Sequence, residues 1–180
     1  MGVFTVGRLT SVPVDSAPEL VGGPTLAALD RLDLLGHVGV AEIDPELSDT
    51  AQTQETYELP PETLANCVVV AGKREGVEKV AACVVLATTR AEVNNVVRRR
   101  LDVRKATFLG RDDAVERTGM EYGGITAIGL PDDWRVLVDS AVASAPVVVI
   151  GSGVRRSKLL LPGSVLAALP TAETVESLGR

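Results

Sequence analysis

Along the chain, apolar residues at helical spacing alternate with short β-branched runs. Leu26, Leu29, Leu32 and Leu35 recur every three residues after Pro24-Thr25 and before Gly36, which predicts an amphipathic helix over 24–35. Residues ahead of it are irregular, with one short strand expected at Val3–Val6, and Val38–Ile43 alternates as a strand that Asp44-Pro45 ends. Ser48–Pro61 is polar and turn-rich. The clearest signal is a hairpin: Asn66–Ala71 and Val80–Leu86 are β-branched runs separated by the charged stretch Gly72–Lys79. Their near-continuous apolarity predicts central strands covered on both faces.

After Thr89 as a cap, a helix is expected over Ala91–Leu101, with Val93, Val96, Val97 and Leu101 on one face. Asp112–Thr118 reads as a short helix, and Gly119–Pro131 as a long structured loop of the kind that carries sites. Strands are expected at Val136–Asp139, Val147–Ile150 and Lys158–Leu161, and a last helix at Val165–Leu169. There is no internal repeat. Short strand-to-strand connections dominate, so the expected class is mixed α/β (α+β), with a mixed sheet rather than a doubly wound one. The expectation is a single domain over 1–180, with 1–24 as an irregular extension.

Composition narrows the chemistry. Of 180 residues only five are aromatic, so the core must be aliphatic, and base-stacking sheets of the usual single-strand RNA-binding kind are not expected. No apolar run reaches the roughly 18 residues of a membrane span, and Met1–Leu20 lacks the pattern of a secretory leader; a soluble, cytoplasmic protein without membrane association is expected. His37, the single histidine, sits in Leu35-Gly36-His37-Val38-Gly39, a helix-to-strand junction, where it reads as a terminal helix residue. Cys67 and Cys83 lie in apolar strands and read as buried thiols. No metal site and no cofactor is expected, and histidine- or cysteine-based hydrolases drop out.

The net charge of −6 is unevenly spread. Residues 1–65 hold 11 acidic and 2 basic side chains, and residues 66–180 hold 13 and 16. Cations concentrate at Arg98, Arg99, Arg100, Arg104 and Lys105, and again at Arg155, Arg156 and Lys158. If they converge on one face they can bind a polyanion despite the overall sign; the alternative is a solvated helix face and a charged turn.

Two glycine-bearing loops remain as candidate chemistry: Tyr122-Gly123-Gly124-Ile125-Thr126-Ala127-Ile128-Gly129, and Gly151-Ser152-Gly153-Val154-Arg155-Arg156. Neither is a nucleotide fingerprint, but glycine leaves main-chain N–H groups open to an anion or a carbonyl oxygen. Ordinary turns would contain the same glycines.

From Asn66 to about Leu169 the phrases follow a familiar order. They are Asn66-Cys67-Val68-Val69-Val70, Leu101-Asp102-Val103-Arg104-Lys105, Thr118-Gly119, Gly123 to Gly129, Val138-Asp139, Val149-Ile150-Gly151-Ser152-Gly153 and Leu161-Pro162-Gly163. In this the chain resembles the YbaK-type, prolyl-tRNA-synthetase-associated editing domain, a family of aminoacyl-tRNA deacylases. The resemblance implies a curved, largely antiparallel sheet flanked by helices, and hydrolysis of the ester joining a wrong amino acid to tRNA. Two positions depart from the family pattern. Asn66 stands where the family commonly has lysine, which removes a charge-assisted contact. Ala127 stands where its loop commonly has proline, which frees the loop and adds an N–H.

An aminoacyl ester is already activated, so its hydrolysis needs positioning and oxyanion donors rather than a strong protein nucleophile. The site implied has Gly124, Ile125, Thr126 and Ala127 against the aminoacyl group and Asn66 on the ribose or carbonyl. Gly151, Ser152 and Gly153 form the facing wall, and Lys105, Arg155, Arg156 and Lys158 meet tRNA phosphates. Partners would be mischarged tRNA and, in an associated role, a synthetase. Two other functions stay open: a non-catalytic module binding tRNA or a synthetase, and a protein-interaction domain whose acidic first segment docks a basic partner.

Overall fold

A computed structural model describes residues 2–180. The acidic segment is built of short pieces. β1 (Thr5–Val6) and β2 (Leu9–Thr10) pair across Gly7, and β3 (Val12–Pro13) leads to α1 (Gly23–Arg31). The first strand is thus shorter than Val3–Val6. α1 also stops short of Leu35, because Asp33 turns left-handed at φ +57° and the Leu34 N–H returns to the Leu29 carbonyl (2.8 Å). Leu32, Leu34 and Leu35 still pack on the core, which is why the apolar stripe outlasts the helix. β4 (Gly39–Glu42) pairs with β3, and α2 (Thr50–Thr56) follows, its N-terminus capped by Asp49 Oδ1 accepting from the Ala51 N–H (3.1 Å).

The hairpin is present and longer than its apolar pattern. β5 (Ala65–Arg74) and β6 (Val77–Leu86) pair in unbroken antiparallel register from Ala65↔Leu86 to Arg74↔Val77. The turn is only Glu75-Gly76, both at positive φ (52° and 80°), the geometry that matches strand twist in a two-residue hairpin. Next comes a π-helical turn at Val93–Val97, then α3 (Arg98–Leu101), which Asp102 ends at φ +53°. The short β7 (Ala106–Phe108) joins the outer edge of β5, and α4 (Arg111–Thr118) ends at Gly119. Residues 119–131 form the expected loop without regular structure.

β8 (Arg135–Asp139) runs parallel to β6, and α5 (Ser140–Ala143) starts from an Asp139 cap. β9 (Val148–Gly151) and β10 (Ser157–Leu161) form an antiparallel pair, α6 (Gly163–Ala167) follows, and β11 (Ala172–Val175) lies parallel to β8. One sheet has the order β3-β4-β10-β9 and the other β11-β8-β6-β5-β7. Both are open; the first is wholly antiparallel, and the second is antiparallel along β6-β5-β7 and parallel along β11-β8-β6, so the two together are largely antiparallel.

The five-stranded sheet is covered on both sides, as its apolar runs require. Val84, Val136 and Val138 face the main core with Leu29, Ile150, Leu159 and Leu161, while Ala81, Cys83, Val85 and Leu137 face a second cluster with Val97 and Leu101. The sheets meet at a parallel bridge between Leu64 and Val149. Past that bridge the outer edge of β5 has no strand partner until β7 begins at the Val70↔Phe108 pair.

Candidate functional site

A cleft of about 430 Å³ follows that gap in pairing. Ala65 to Val69 of β5 form its floor, Gly151 and Lys158 close one end, and Ser48, Asp49 and Thr50 come over from the start of α2. Gly123, Ile125 and Tyr122 of the long loop face them, with Phe108, Leu109, Arg111 and Ala114 along the remaining side. One wall is therefore polar and one apolar, as in sites that take an amphiphilic small group.

The polar wall is ordered by a few hydrogen bonds. Thr50 Oγ1 donates to Asn66 Oδ1 (2.8 Å), which leaves the Asn66 NH₂ group as a donor without an acceptor among the described residues. Lys158 is 7% exposed, and its Nζ donates to the Ser48 carbonyl (3.2 Å). Burial lowers the Lys158 ammonium from 10.5 to about 8; nearby Asp49 works against that shift and Arg155 adds to it. Ser48 Oγ is buried without a hydrogen-bond partner among the described residues. Arg155 clamps the rim: Nη1 donates to the Tyr122 carbonyl (3.2 Å), Nη2 to the Pro45 carbonyl (3.1 Å), and its main-chain N–H to Glu121 Oε2 (2.7 Å). Cys67 offers no nucleophile, since burial pushes its thiol up to about 12, and His37 lies outside the cleft. Among the described residues no group of three or more His, Cys, Asp or Glu side chains stands close enough to hold a metal ion.

The two glycine bends lie main chain against main chain. The Gly153 N–H donates to the Gly124 carbonyl (2.7 Å), and a Cβ on Gly124 would stand 2.5 Å from the Val154 carbonyl oxygen. A Cβ on Gly151 would stand 2.5 Å from the Gly124 carbonyl oxygen. Glycine is needed at both positions for this approach. The Ile125 N–H, by contrast, has no partner among the described residues, and Ile125 borders the cleft.

A profile of the aminoacyl-tRNA editing domain matches residues 44–169, the stretch that builds every wall of this cleft. The chain belongs to the aminoacyl-tRNA editing domain family. Solved structures agree on the fold. A candidate trans-editing enzyme for prolyl-tRNA synthetase superposes with a TM-score of 0.71 at 18% identity, covering 85% of this chain and 93% of the other. A hypothetical protein gives 0.76 at 16% identity, covering 87% and 99%. A search of curated proteins finds no match.

Within this editing domain the residues singled out from sequence separate into three groups. Asn66, Ile125, Gly151, Arg155 and Lys158 line the cleft. Gly124, Thr126, Ala127, Ser152 and Gly153 lie behind it. The Gly124 N–H is bound to the Glu121 carbonyl (2.9 Å), Thr126 and Ala127 are buried, and Ser152 Oγ contacts Ser157 Oγ (2.7 Å). Their part is to brace the bends, not to offer a nest to an anion. Lys105 is exposed just ahead of β7, and Arg156 reaches out to the Glu19 carbonyl. The second basic cluster is thus no common phosphate surface. Lys158 points into the cleft because position 158 alternates inward on β10 opposite Gly151.

Sequence reasoning missed Ser48, Asp49, Thr50, Phe108 and Arg111, and it names Tyr122 only as the start of the first glycine loop, without a role. Phe108 and Tyr122 are large aromatic side chains left 61% and 49% exposed at the cleft. Arg111 lies over the Tyr122 ring at 4.2 Å.

Proposed function

We propose that this editing domain is a deacylase that hydrolyses the ester of mischarged tRNA. The observation that carries the reading is the cleft itself. It offers unspent donors, the Asn66 amide, the Ile125 N–H and the Lys158 ammonium, around a space whose lining thiol, Cys67, burial holds protonated. That inventory suits an ester whose carbonyl carbon is already activated, and suits amide hydrolysis poorly. Donors aimed at the developing oxyanion contribute about 10²–10³ in rate, and holding a water or the ribose hydroxyl against the carbonyl contributes more.

In this reading the exposed faces of Phe108 and Tyr122 receive the terminal nucleobase, with Arg111 behind Tyr122. Val68, Val69, Leu109 and Ile125 receive the amino-acid side chain. An apolar wall discriminates one methylene by only about 1–3 kcal/mol, so small side chains are the expected clients. The test is amino-acid release from a panel of mischarged tRNAs. Release above the buffer rate for at least one pair is expected, and buffer rates for every pair would overturn the reading. One observation favours a second reading: Asn66 supplies a neutral amide where the family commonly has lysine. A non-catalytic module would bind tRNA in a salt-dependent manner without turnover.

A further inference from the structure

We propose that Lys158 is the cation that meets the carbonyl oxygen of the bound ester, entering from β10 into a cleft whose first central strand carries only the neutral Asn66. This rests on the deacylase reading above and deepens it. Lys158 faces Gly151 in the β9–β10 register, and Gly151 is packed against the carbonyls of Gly124 and Ile125. The ammonium therefore comes up beside the bend whose Ile125 N–H is unspent.

Three features separate it from a structural core lysine. It makes one hydrogen bond, to the Ser48 carbonyl (3.2 Å), so two of its three N–H donors lack an acceptor among the described residues. Among the described residues no carboxylate lies within ion-pair distance of it, although Asp49 is near enough to act on its charge; the ion pairs lie elsewhere. And Ser48 Oγ, on the residue that anchors it, is likewise buried and unpartnered, lining the same space. A buried cation with open donors and a buried hydroxyl lining the same cleft are placed to receive an oxygen of a bound group.

The chemistry balances with the ammonium unchanged. The oxygen of water bonds to the carbonyl carbon, and the carbonyl π pair moves onto oxygen beside Lys158. Collapse of that oxyanion breaks the bond to the ribose oxygen, which leaves with a proton derived from the water. The products are a free amino acid and a tRNA hydroxyl.

The experiment compares Lys158→Met, Lys158→Arg and the double variant Lys158→Met/Asn66→Lys on a mischarged tRNA that the wild type turns over. Lys158→Met is expected to lower kcat about 10²–10³-fold with KM within about threefold, because the contact forms in the transition state. Lys158→Arg should keep more activity than Lys158→Met, and restoring a cation from the other wall should recover at least about tenfold. Wild-type kcat in Lys158→Met overturns the proposal. A binding measurement separates it from the parent reading: an adenosine aminoalkylphosphonate ester, mimicking the tetrahedral oxyanion, against the matching 3′-amide of adenosine. Lys158→Met should lose about tenfold or more for the phosphonate and little for the amide. Equal losses for both, or for neither, overturn the role of Lys158 even where wild-type turnover upholds the deacylase. Absence of turnover by the wild type defeats the deacylase reading, and a phosphonate loss confined to Lys158→Met would still locate the cation.

Discussion

At the residue scale, the cost of the site should be measurable in the fold. Lys158 is buried among Asp49, Arg155 and the more distant Arg111, and its ammonium is lowered from 10.5 to about 8. Below about pH 8 folded and unfolded chains both hold this proton, and the folded state carries the full penalty. Between about 8 and 10.5 the folded state releases it first, so stability from this group rises with pH. Lys158→Met is therefore expected to be more stable than the wild type at pH 7, by at most about 3 kcal/mol, with the gap closing by pH 10. Cys67 and Cys83, both raised to about 12, act in the opposite sense above pH 9, but equally in both proteins, so the difference isolates the lysine. Urea unfolding at pH 7 and pH 10 checks this; a variant less stable at pH 7 would contradict it. Gly124 gives the converse case. Its Cβ would meet the Val154 main chain at 2.5–2.8 Å, which no side-chain rotation relieves. Gly124→Ala should cost about 1–3 kcal/mol and displace Ile125, so a lowered Tm and a lowered kcat are expected together.

At the element scale, legibility followed burial. The hairpin, β8, β9 and β10 announce themselves because they are near-continuous apolar runs buried in the core. Where an element buries few apolar side chains, the pattern is silent. α2 is Thr50–Thr56 with only Thr53 buried, so no apolar stripe marks it, and β7 and β11 are too short to alternate recognisably. The hairpin turn was expected across Gly72–Lys79 because Lys73, Arg74, Glu75, Glu78 and Lys79 are charged. Yet the pairing continues to Arg74↔Val77, since main-chain hydrogen bonds extend strands past the covered core. The helix expected over 91–101 yields a π turn, where β-branched Val93, Val96 and Val97 and the pair Asn94-Asn95 are poor α-helix formers. The turn gives a clean stability test. Glu75 holds φ +52°, which asparagine tolerates better than glutamate, and the turn lies outside the cleft. Glu75→Asn should raise stability by about 0.5 kcal/mol and leave deacylation unchanged. A drop in Tm would show that Glu75 has a role beyond the turn.

At the scale of the whole molecule, the site is a junction between parts that differ in charge and in sequence position, which explains why half of it was unreadable. Asn66 and the glycine loops come from the region that carries the family phrases, whereas Ser48, Asp49 and Thr50 come from the acidic segment and meet them only after folding. The asymmetry also shapes how a polyanion arrives. With a net charge of −6, approach depends on cations near the mouth, because charges beyond about 8–10 Å are screened at physiological salt. Arg155 is spent on the Tyr122 and Pro45 carbonyls, and Arg156 on Glu19, so neither is free to follow a phosphate. Arg111 is exposed, unpaired by any carboxylate among the described residues, and stationed over Tyr122; Lys105, exposed just ahead of β7, lies about 10 Å from Phe108 along the chain. A mouth with so few cations neutralises two or three phosphates of a single-stranded 3′ end, which sets a slope of about −2 for log(kcat/KM) against log[salt]. Arg111→Glu is then expected to raise KM about tenfold near 0.05 M salt, with the deficit shrinking several-fold by 0.5 M and kcat unchanged. A steep slope of about −6 or beyond would mean that the Arg98–Lys105 cluster also lies along the path of the tRNA, and a salt-insensitive Arg111→Glu defect would assign that arginine to holding the Tyr122 ring in place.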